Sequence, residues 1–336
     1  MLILIILYDI YILRSFIFCT FQYSVIDFFI ICYDFIEIYL NISRELAYFE
    51  DIEYQKKCRE LWLEAGILYY EILYQNVRIK DMEKCLGHLQ KVSQAYQSKL
   101  DAGEINIFDY NKIKLEELNL QQEKARAEAG RDGMLLQMKQ LNGGKELNIS
   151  NNDFPKFDLP EDFENWYAKV VEQAPELQQL AKAQAINQEE LKLQRSLWAP
   201  QFFAGYMREQ IPGELFHGVK AGITIPLWQN INTLKQNKLA ASALNFMMTD
   251  EKTRFRNELE SHYLMVKALQ KQIADYETLL VAVEEGDLLD KALNAGEISL
   301  VEYLLEISLY HESHERHAAL LHDAALQYVH LQIIER

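Results

Sequence analysis

All six prolines of the chain fall between Pro155 and Pro226. A proline inside a helix removes one backbone hydrogen bond and clashes with the preceding turn, so helix interiors exclude it. Two proline-free blocks therefore flank a proline-bearing middle. The blocks read as long helices and the middle as turns and strands.

From Asn41 to about Ala102 the only helix-weakening residues are Gly66 and Gly87. Ala65, Leu68, Ile72, Gln75, Ile79, Met82, Leu86, Leu89, Ser93, Tyr96 and Leu100 step alternately by three and four. This is the 3.5-residue period of a left-handed coiled coil. Some sixty residues of helix reach on the order of 90 Å, more than a compact domain needs. Gly103 ends the run and Asn106 can cap a second helix, which continues to Gly143-Gly144. Residues 41–143 thus read as a helix–turn–helix hairpin.

Residues 229–336 repeat the plan. Val266, Leu269, Ile273, Tyr276, Leu280 and Val283 form a seam, Gly296 breaks the helix and Ser299 can cap the next. Leu304, Ile307, His311, His314, Ala318, Leu321, Ala325 and Tyr328 continue the rhythm. At the first turn stands AGEINIFDY, from Ala102 to Tyr110; at the second stands AGEISLVEY, from Ala295 to Tyr303. The offset, 295 − 102 = 193 residues, holds without a gap from the Trp62/Phe255 pair to Tyr110/Tyr303. The seams do not superpose residue for residue, so the repeat rests on the turn and the layout.

Between the blocks, residues 144–173 read as a polar linker. Residues 174–199 read as a helix, with Pro175 in its first turn and Pro200 beyond its end. Residues 200–228 read as a β-hairpin about the turn IPGE. In its second strand Val219, Ala221, Ile223 and Ile225 point one way, and Gly218, Lys220, Gly222 and Thr224 the other. About ten residues per strand with this alternation fits a transmembrane barrel hairpin and a hairpin on a soluble sheet alike. Pro226 ends the strand, and Trp228 suits an interfacial aromatic belt.

The first forty residues are dense in Ile, Phe, Tyr and Leu and lack Gly and Pro. No basic region precedes the apolar run and no small-residue cleavage site follows it, which is a poor secretory signal. Asp9, Arg14, Asp27 and Asp34 interrupt it as a membrane span. The expectation is an atypical segment not native to the fold, from a wrong start codon or an upstream frame error. A membrane-associated helix is the alternative.

The net charge of −16 and a pI near 5.0 argue against a nucleic-acid partner, which calls for a basic patch. Cys19, Cys32, Cys58 and Cys85 include no C-x-x-C pair. Cys58 and Cys85 lie roughly 40 Å apart along one helix and cannot bridge. His311, His314, His317 and His322 crowd the last helix at spacings that invite a metal, but His311 and His314 fall on the seam and no carboxylate or thiol completes a set at fixed geometry. No catalytic triad order, phosphate loop or H-E-x-x-H stands out. The expectation is no enzyme, no cofactor and no metal site.

The order long hairpin, linker, helix, β-hairpin, long hairpin resembles the TolC-like outer membrane efflux protein family over about residues 41–336. The most specific pieces are PEL…LKLQRSLWAPQF, the strand exit GVKAGITIPLW and the two AGEI…(D/E)Y turns. The resemblance implies a mainly α fold: two long coiled-coil hairpins, with a β-hairpin contributing to a trimeric outer-membrane β-barrel continued by an α-barrel. It implies a homotrimer in outer-membrane lipid. Its partners would be a periplasmic adaptor (membrane fusion) protein and an inner-membrane efflux pump. The channel itself is a passive conduit, and no nucleic acid is involved.

Carried over by position, Ala102, Gly103, Glu104, Ala295, Gly296 and Glu297 would be the tips where the adaptor docks. Asp109 and Glu302 would stand at the entrance constriction. Glu302 also reads as a helix N-terminal carboxylate favouring the dipole. A further acidic position of some members, one turn on, is Leu305 here. Val219, Ala221, Ile223 and Ile225 would face lipid. The family also carries a first β-hairpin before the position of Asn41, which residues 1–40 do not supply. The expectation is an N-terminally truncated or mis-started product, or a protein that works differently from its relatives. The rival classes are a coiled-coil scaffold outside the membrane and the adaptor itself, which should carry one hairpin rather than two.

Overall fold

The computed structural model describes residues 25–26, 33–197, 200–211, 214–225, 231–283 and 286–335. The chain runs β1 (Val25–Ile26), α1 (Tyr33–Asp101), α2 (Ile107–Leu141), α3 (Phe163–Gln173), α4 (Pro175–Ser196), β2 (Gln201–Ile211), β3 (Glu214–Thr224), α5 (Ile231–Val283), α6 (Gly286–Ala295) and α7 (Leu300–Ile334). It divides into two compact units. Unit 1 comprises residues 1–53 and 175–251, and unit 2 comprises residues 54–174 and 252–336.

Unit 2 holds both helix reversals. The α1 seam from Ala65 to Leu100 contains no exposed residue, and its centre is tightly enclosed: Ile72 and Met82 are fully buried and Leu89 is 1% exposed. Three apolar clusters follow one another along α1. Leu68 and Ile72 pack with Met138 of α2. Ile79, Met82, Leu86 and Leu89 pack with Leu120 and Ala127 of α2, with Leu304 and Tyr310 of α7 against them. Val92 packs with Ile113 of α2, Leu293 of α6, and Leu300, Tyr303 and Ile307 of α7. The α5 seam buries Phe255, Leu259, Tyr263, Val266, Leu269, Ile273 and Leu280. Helix α7 meets α1 through Tyr74 stacked on His322 and meets α5 through His262 stacked on His330.

One glycine marks how close α1 and α7 come. A Cβ at Gly66 would stand 2.5 Å from Cγ2 of Val329, which is itself 2% exposed. Helix propensity alone favours alanine over glycine by about 1 kcal/mol, but overpacking a filled core costs about 1–3 kcal/mol. Gly66→Ala is therefore expected to lower the urea midpoint without changing the slope. Adding Val329→Ala should recover part of the loss, and additive losses would contradict a steric cause.

The expected linker does more than span a gap. Asn76 of α1, 8% exposed, donates through Nδ2 to the carbonyls of Ile149 and Asn151 at 2.9 and 3.1 Å. The linker then folds into α3, which the sequence reading did not anticipate. Asp162 caps it by accepting from the amides of Glu164 and Asn165. Trp166 and Val170, one turn apart, form its buried stripe. Arg256 of α5 holds Glu164 with two hydrogen bonds.

Unit 1 contains the sheet, in the order β1-β2-β3. Strands β2 and β3 are antiparallel and in register from Gln201↔Thr224 to Ile211↔Glu214. Two residues, Pro212 and Gly213, connect Ile211 to Glu214; like Pro226 and Trp228 they lie outside the described residues. Two differences from expectation concern the first forty residues. Val25 and Ile26 pair with Met207 and Tyr206 of β2, so this stretch contributes a short strand. Helix α1 begins at Tyr33 rather than Asn41, because YDFIEIYL contains nothing that stops a helix. The expected single helix over 229–294 is assigned as α5 and α6, with residues 284–285 outside the described set.

Candidate functional site: the hairpin tips and the strand pair

Both reversals are built the same way. Gly103 has φ +75° and Gly296 has φ +73°, the left-handed region that glycine enters without cost. At the first tip the Gly103 amide donates to Leu100 O at 2.9 Å and the Glu104 amide to Lys99 O at 2.9 Å. At the second the Gly296 amide donates to Leu293 O at 3.2 Å and the Glu297 amide to Ala292 O at 2.9 Å. This paired arrangement is a Schellman motif, which satisfies the last carbonyls of the ending helix. Ala102, Gly103, Glu104, Ala295, Gly296 and Glu297 are all exposed. Val92, Ile113, Leu293 and Leu300, one to three turns from the two reversals, share one buried cluster. Both tips therefore stand at the same end of unit 2.

The helices restart with matching caps. Asn106 Oδ1 accepts from the Asp109 amide at 2.9 Å, and Asn106 Nδ2 donates to Asp109 Oδ2 at 2.9 Å. Lys112 Nζ stands 3.1 Å from Asp109 Oδ1. Ser299 Oγ accepts from the Glu302 amide at 3.2 Å, while Glu302 Oε2 accepts from the Ser299 amide at 2.7 Å. That reciprocal pair is a capping box. The Ser299 amide and then its hydroxyl hold the Glu302 carboxyl below the usual carboxylate range. Asp109 and Glu302 thus occupy the same N3 position of their two helices, and Leu305, one turn on, is exposed.

A polar network behind the second tip escaped the sequence reading. Tyr303 is fully buried, and its hydroxyl donates to Asp290 Oδ1 at 2.8 Å. The other oxygen of Asp290 lies 2.8 Å from His88 Nδ1 of α1. Burial, and then Asp290, push the Tyr303 phenol well above its ordinary value. Three helices, α1, α6 and α7, therefore meet on one carboxylate. The one signal in the sequence is that Tyr303 closes the repeated phrase. Tyr303→Phe leaves an acceptor without its donor, which costs about 1–3 kcal/mol when the acceptor is poorly solvated. A fall in thermal midpoint of several degrees is expected; an unchanged midpoint would show that solvent replaces the hydroxyl.

The histidines of α7 need a correction. Within its own sequence α7 offers no completing thiol, but α1 brings Asp81 and Cys85 against His311. His311 Nδ1 lies 2.8 Å from Asp81 Oδ2, and Asp81 first and Cys85 second push its pKa up to about 10. His322 instead stacks on Tyr74, and His317 on Tyr276.

In the sheet Val219 is 83% exposed, with Ile223 and Ile225 also exposed; Ala221 shares the face and is exposed. Across the register stand Tyr206, Ala204 and Phe202, opposite Val219, Ala221 and Ile223. Among the described residues β3 is paired on one side only. Also among these residues, no helix is long and apolar enough to cross a membrane.

Two long helical hairpins alternating with a strand pair define the fold of the TolC-like outer membrane efflux channels. No family model and no curated protein sequence matches the chain, so the likeness rests on solved structures. The Campylobacter jejuni CmeC outer membrane channel is 11% identical, covers 92% of this chain and 69% of its own, and has a TM-score of 0.75. For the open state of the Neisseria gonorrhoeae MtrE outer membrane channel the figures are 11%, 92%, 73% and 0.77. The outer membrane protein VceC from Vibrio cholerae gives 10%, 92%, 77% and 0.74. At these identities the likeness establishes the fold, and it covers 92% of this chain.

Proposed function

We propose that the chain is the outer-membrane channel component of a tripartite efflux system, a passive conduit across the periplasm and outer membrane. The observation that carries this reading is the pair of identical, exposed glycine reversals at one end of unit 2, within a fold shared with outer membrane channels. Ala102, Gly103, Glu104, Ala295, Gly296 and Glu297 present backbone turns and carboxylates there, a surface suited to the helical hairpins of a periplasmic adaptor. Asp109 and Glu302, one turn inward, would ring the entrance in a homotrimer. Such a ring raises local cation concentration and repels anions. The capping box at Glu302 is compatible with this, since the ring needs only the carboxylate charge.

In unit 1, among the described residues, β3 offers an open edge and an apolar face. An open edge is a template for another strand, which in a trimer is supplied by the neighbouring protomer, and a barrel closed in this way leaves none. No chemistry of bond making is part of this reading, since a conduit works by lining a path while an inner-membrane pump supplies the energy. Cell fractionation of the expressed chain tests it. Recovery in the outer membrane as a trimer is expected. A wholly soluble product would sink the channel reading in favour of a coiled-coil scaffold.

A further inference from the structure

The cluster around His311 is used by neither the tips nor the strands. Asp81 and Cys85 are four residues apart on α1 and so share a face. Helix α7 sets His311 opposite them. An imidazole nitrogen of His311, the Cys85 Sγ and a carboxylate oxygen of Asp81 all lie within 4.8 Å of one another. Cys85 is 2% exposed, and the side chains of Asp81 and His311 are 11% and 17% exposed. His311 Nε2 is buried and has no hydrogen-bond partner among the described residues. His314 Nδ1, one turn along α7, is 3.8 Å from the other oxygen of Asp81.

The donor types narrow the ligand. Calcium and magnesium take oxygen donors throughout, whereas thiolate with imidazole selects borderline and soft metals. Glu123 and Glu315 also approach His311, but Arg78 already spans them, at 2.9 and 2.5 Å. They are better placed as an outer ring than as ligands.

We propose that Asp81, Cys85 and His311 form a binding site for one divalent transition-metal ion of the zinc class. Bonds of about 2.0–2.3 Å in a tetrahedron put ligand atoms roughly 3.3–3.8 Å apart, so side-chain rotation closes the present spacing. A metal ion takes the thiolate and an imidazole lone pair, so binding weakens toward acid pH. The ion joins the first hairpin to the last helix inside unit 2. This inference is independent of the channel reading and stands or falls without it.

The test uses the full-length purified chain, stripped with a chelator and titrated with Co²⁺ as a spectroscopic stand-in. One ion per chain is expected, with a near-ultraviolet thiolate-to-cobalt charge-transfer band that Zn²⁺ abolishes by displacement. Cys85→Ser should remove the band, and His311→Gln should weaken binding at least ~100-fold. Cys58→Ser should change neither. Because Cys85 lies in a packed cluster, its variant can fail to fold, so a second measurement uses the unaltered chain. Zn²⁺ should slow alkylation of Cys85, read by peptide mass spectrometry, and leave Cys58 unaffected. The site is overturned if saturating Co²⁺ gives no thiolate band, or if the band survives Cys85→Ser. It is equally overturned if Zn²⁺ leaves the Cys85 alkylation rate unchanged.

Discussion

Valine at both Gly103 and Gly296 is expected to abolish adaptor docking, while asparagine at the same two positions leaves most of it in place. The reason is conformational. Among the described residues nothing lies within 4 Å of where a Cβ would project at either glycine, so steric bulk is not the cause. The backbone, however, sits at φ +75° and +73°. An L-residue there costs roughly 1–2 kcal/mol, and a β-branched one is a true outlier. Two such sites store roughly 2–4 kcal/mol, and the chain can relieve it only by leaving the left-handed region. That movement breaks the hydrogen bonds from the Glu104 amide to Lys99 O and from the Glu297 amide to Ala292 O and swings both carboxylates away. Asparagine tolerates the same conformation far better. Most of the buried seam lies more than a turn from the tips, so if the chain forms the proposed trimer, assembly is expected to persist in both variants. Binding of purified adaptor to purified channel is the measurement. Docking that is unchanged with valine would refute the tip assignment. Equal loss with valine and asparagine would mean that the adaptor reads the bare glycine surface rather than the turn.

These tips were legible because their signals are local. A glycine after an apolar run, followed three residues later by Asn106 or Ser299, is enough to mark a Schellman stop and a new cap. The seams were legible for a related reason: a three-four rhythm kept for five heptads has one structural meaning. Local signals also misled. Pro155 and Pro160 made the linker look unstructured, although Asp162 before FENWYAKVV is itself a capping signal for α3. The short strand Val25–Ile26 had no alternation long enough to read. The long apolar run before Asn41 masked where α1 starts.

What sequence could not offer was lateral. The Tyr303–Asp290–His88 network joins residues of three helices, and the linear spacing of Asp290 and His88 says nothing of it. The histidines of α7 invited a metal at i, i+3 spacing, but that Asp81 and Cys85 of α1 face His311 could not be read from that spacing. Register between helices is set by interdigitating side chains over the whole seam. It therefore appears only once both helices are packed.

Arginine at Val219 is expected to keep the chain out of the outer membrane, whereas arginine at Ile223 should be far milder. Val219 is the middle residue of β3, which runs from Glu214 to Thr224, and Ile223 stands one residue from its end. If this face meets lipid, Val219 lies near the midplane, where an arginine costs about 2–4 kcal/mol, and Ile223 lies toward the interface, where it costs about 0–1 kcal/mol. Adding Ala221→Arg to Val219→Arg roughly doubles the loss, since both sit on the exposed face. Lys220 points to the opposite face, so Lys220→Glu should insert normally. The depth gradient separates the two readings of the sheet. On a soluble hairpin, charges at exposed positions change stability by no more than about 0.5 kcal/mol, and Val219, at 83% exposure, would be the most tolerant position of all. Refolding of each variant into lipid vesicles, followed by flotation, ranks them directly. A ranking of Val219 worse than Ile223, with Lys220 neutral, requires lipid on this face, and no gradient would remove the barrel from the account while leaving the helical tips untouched.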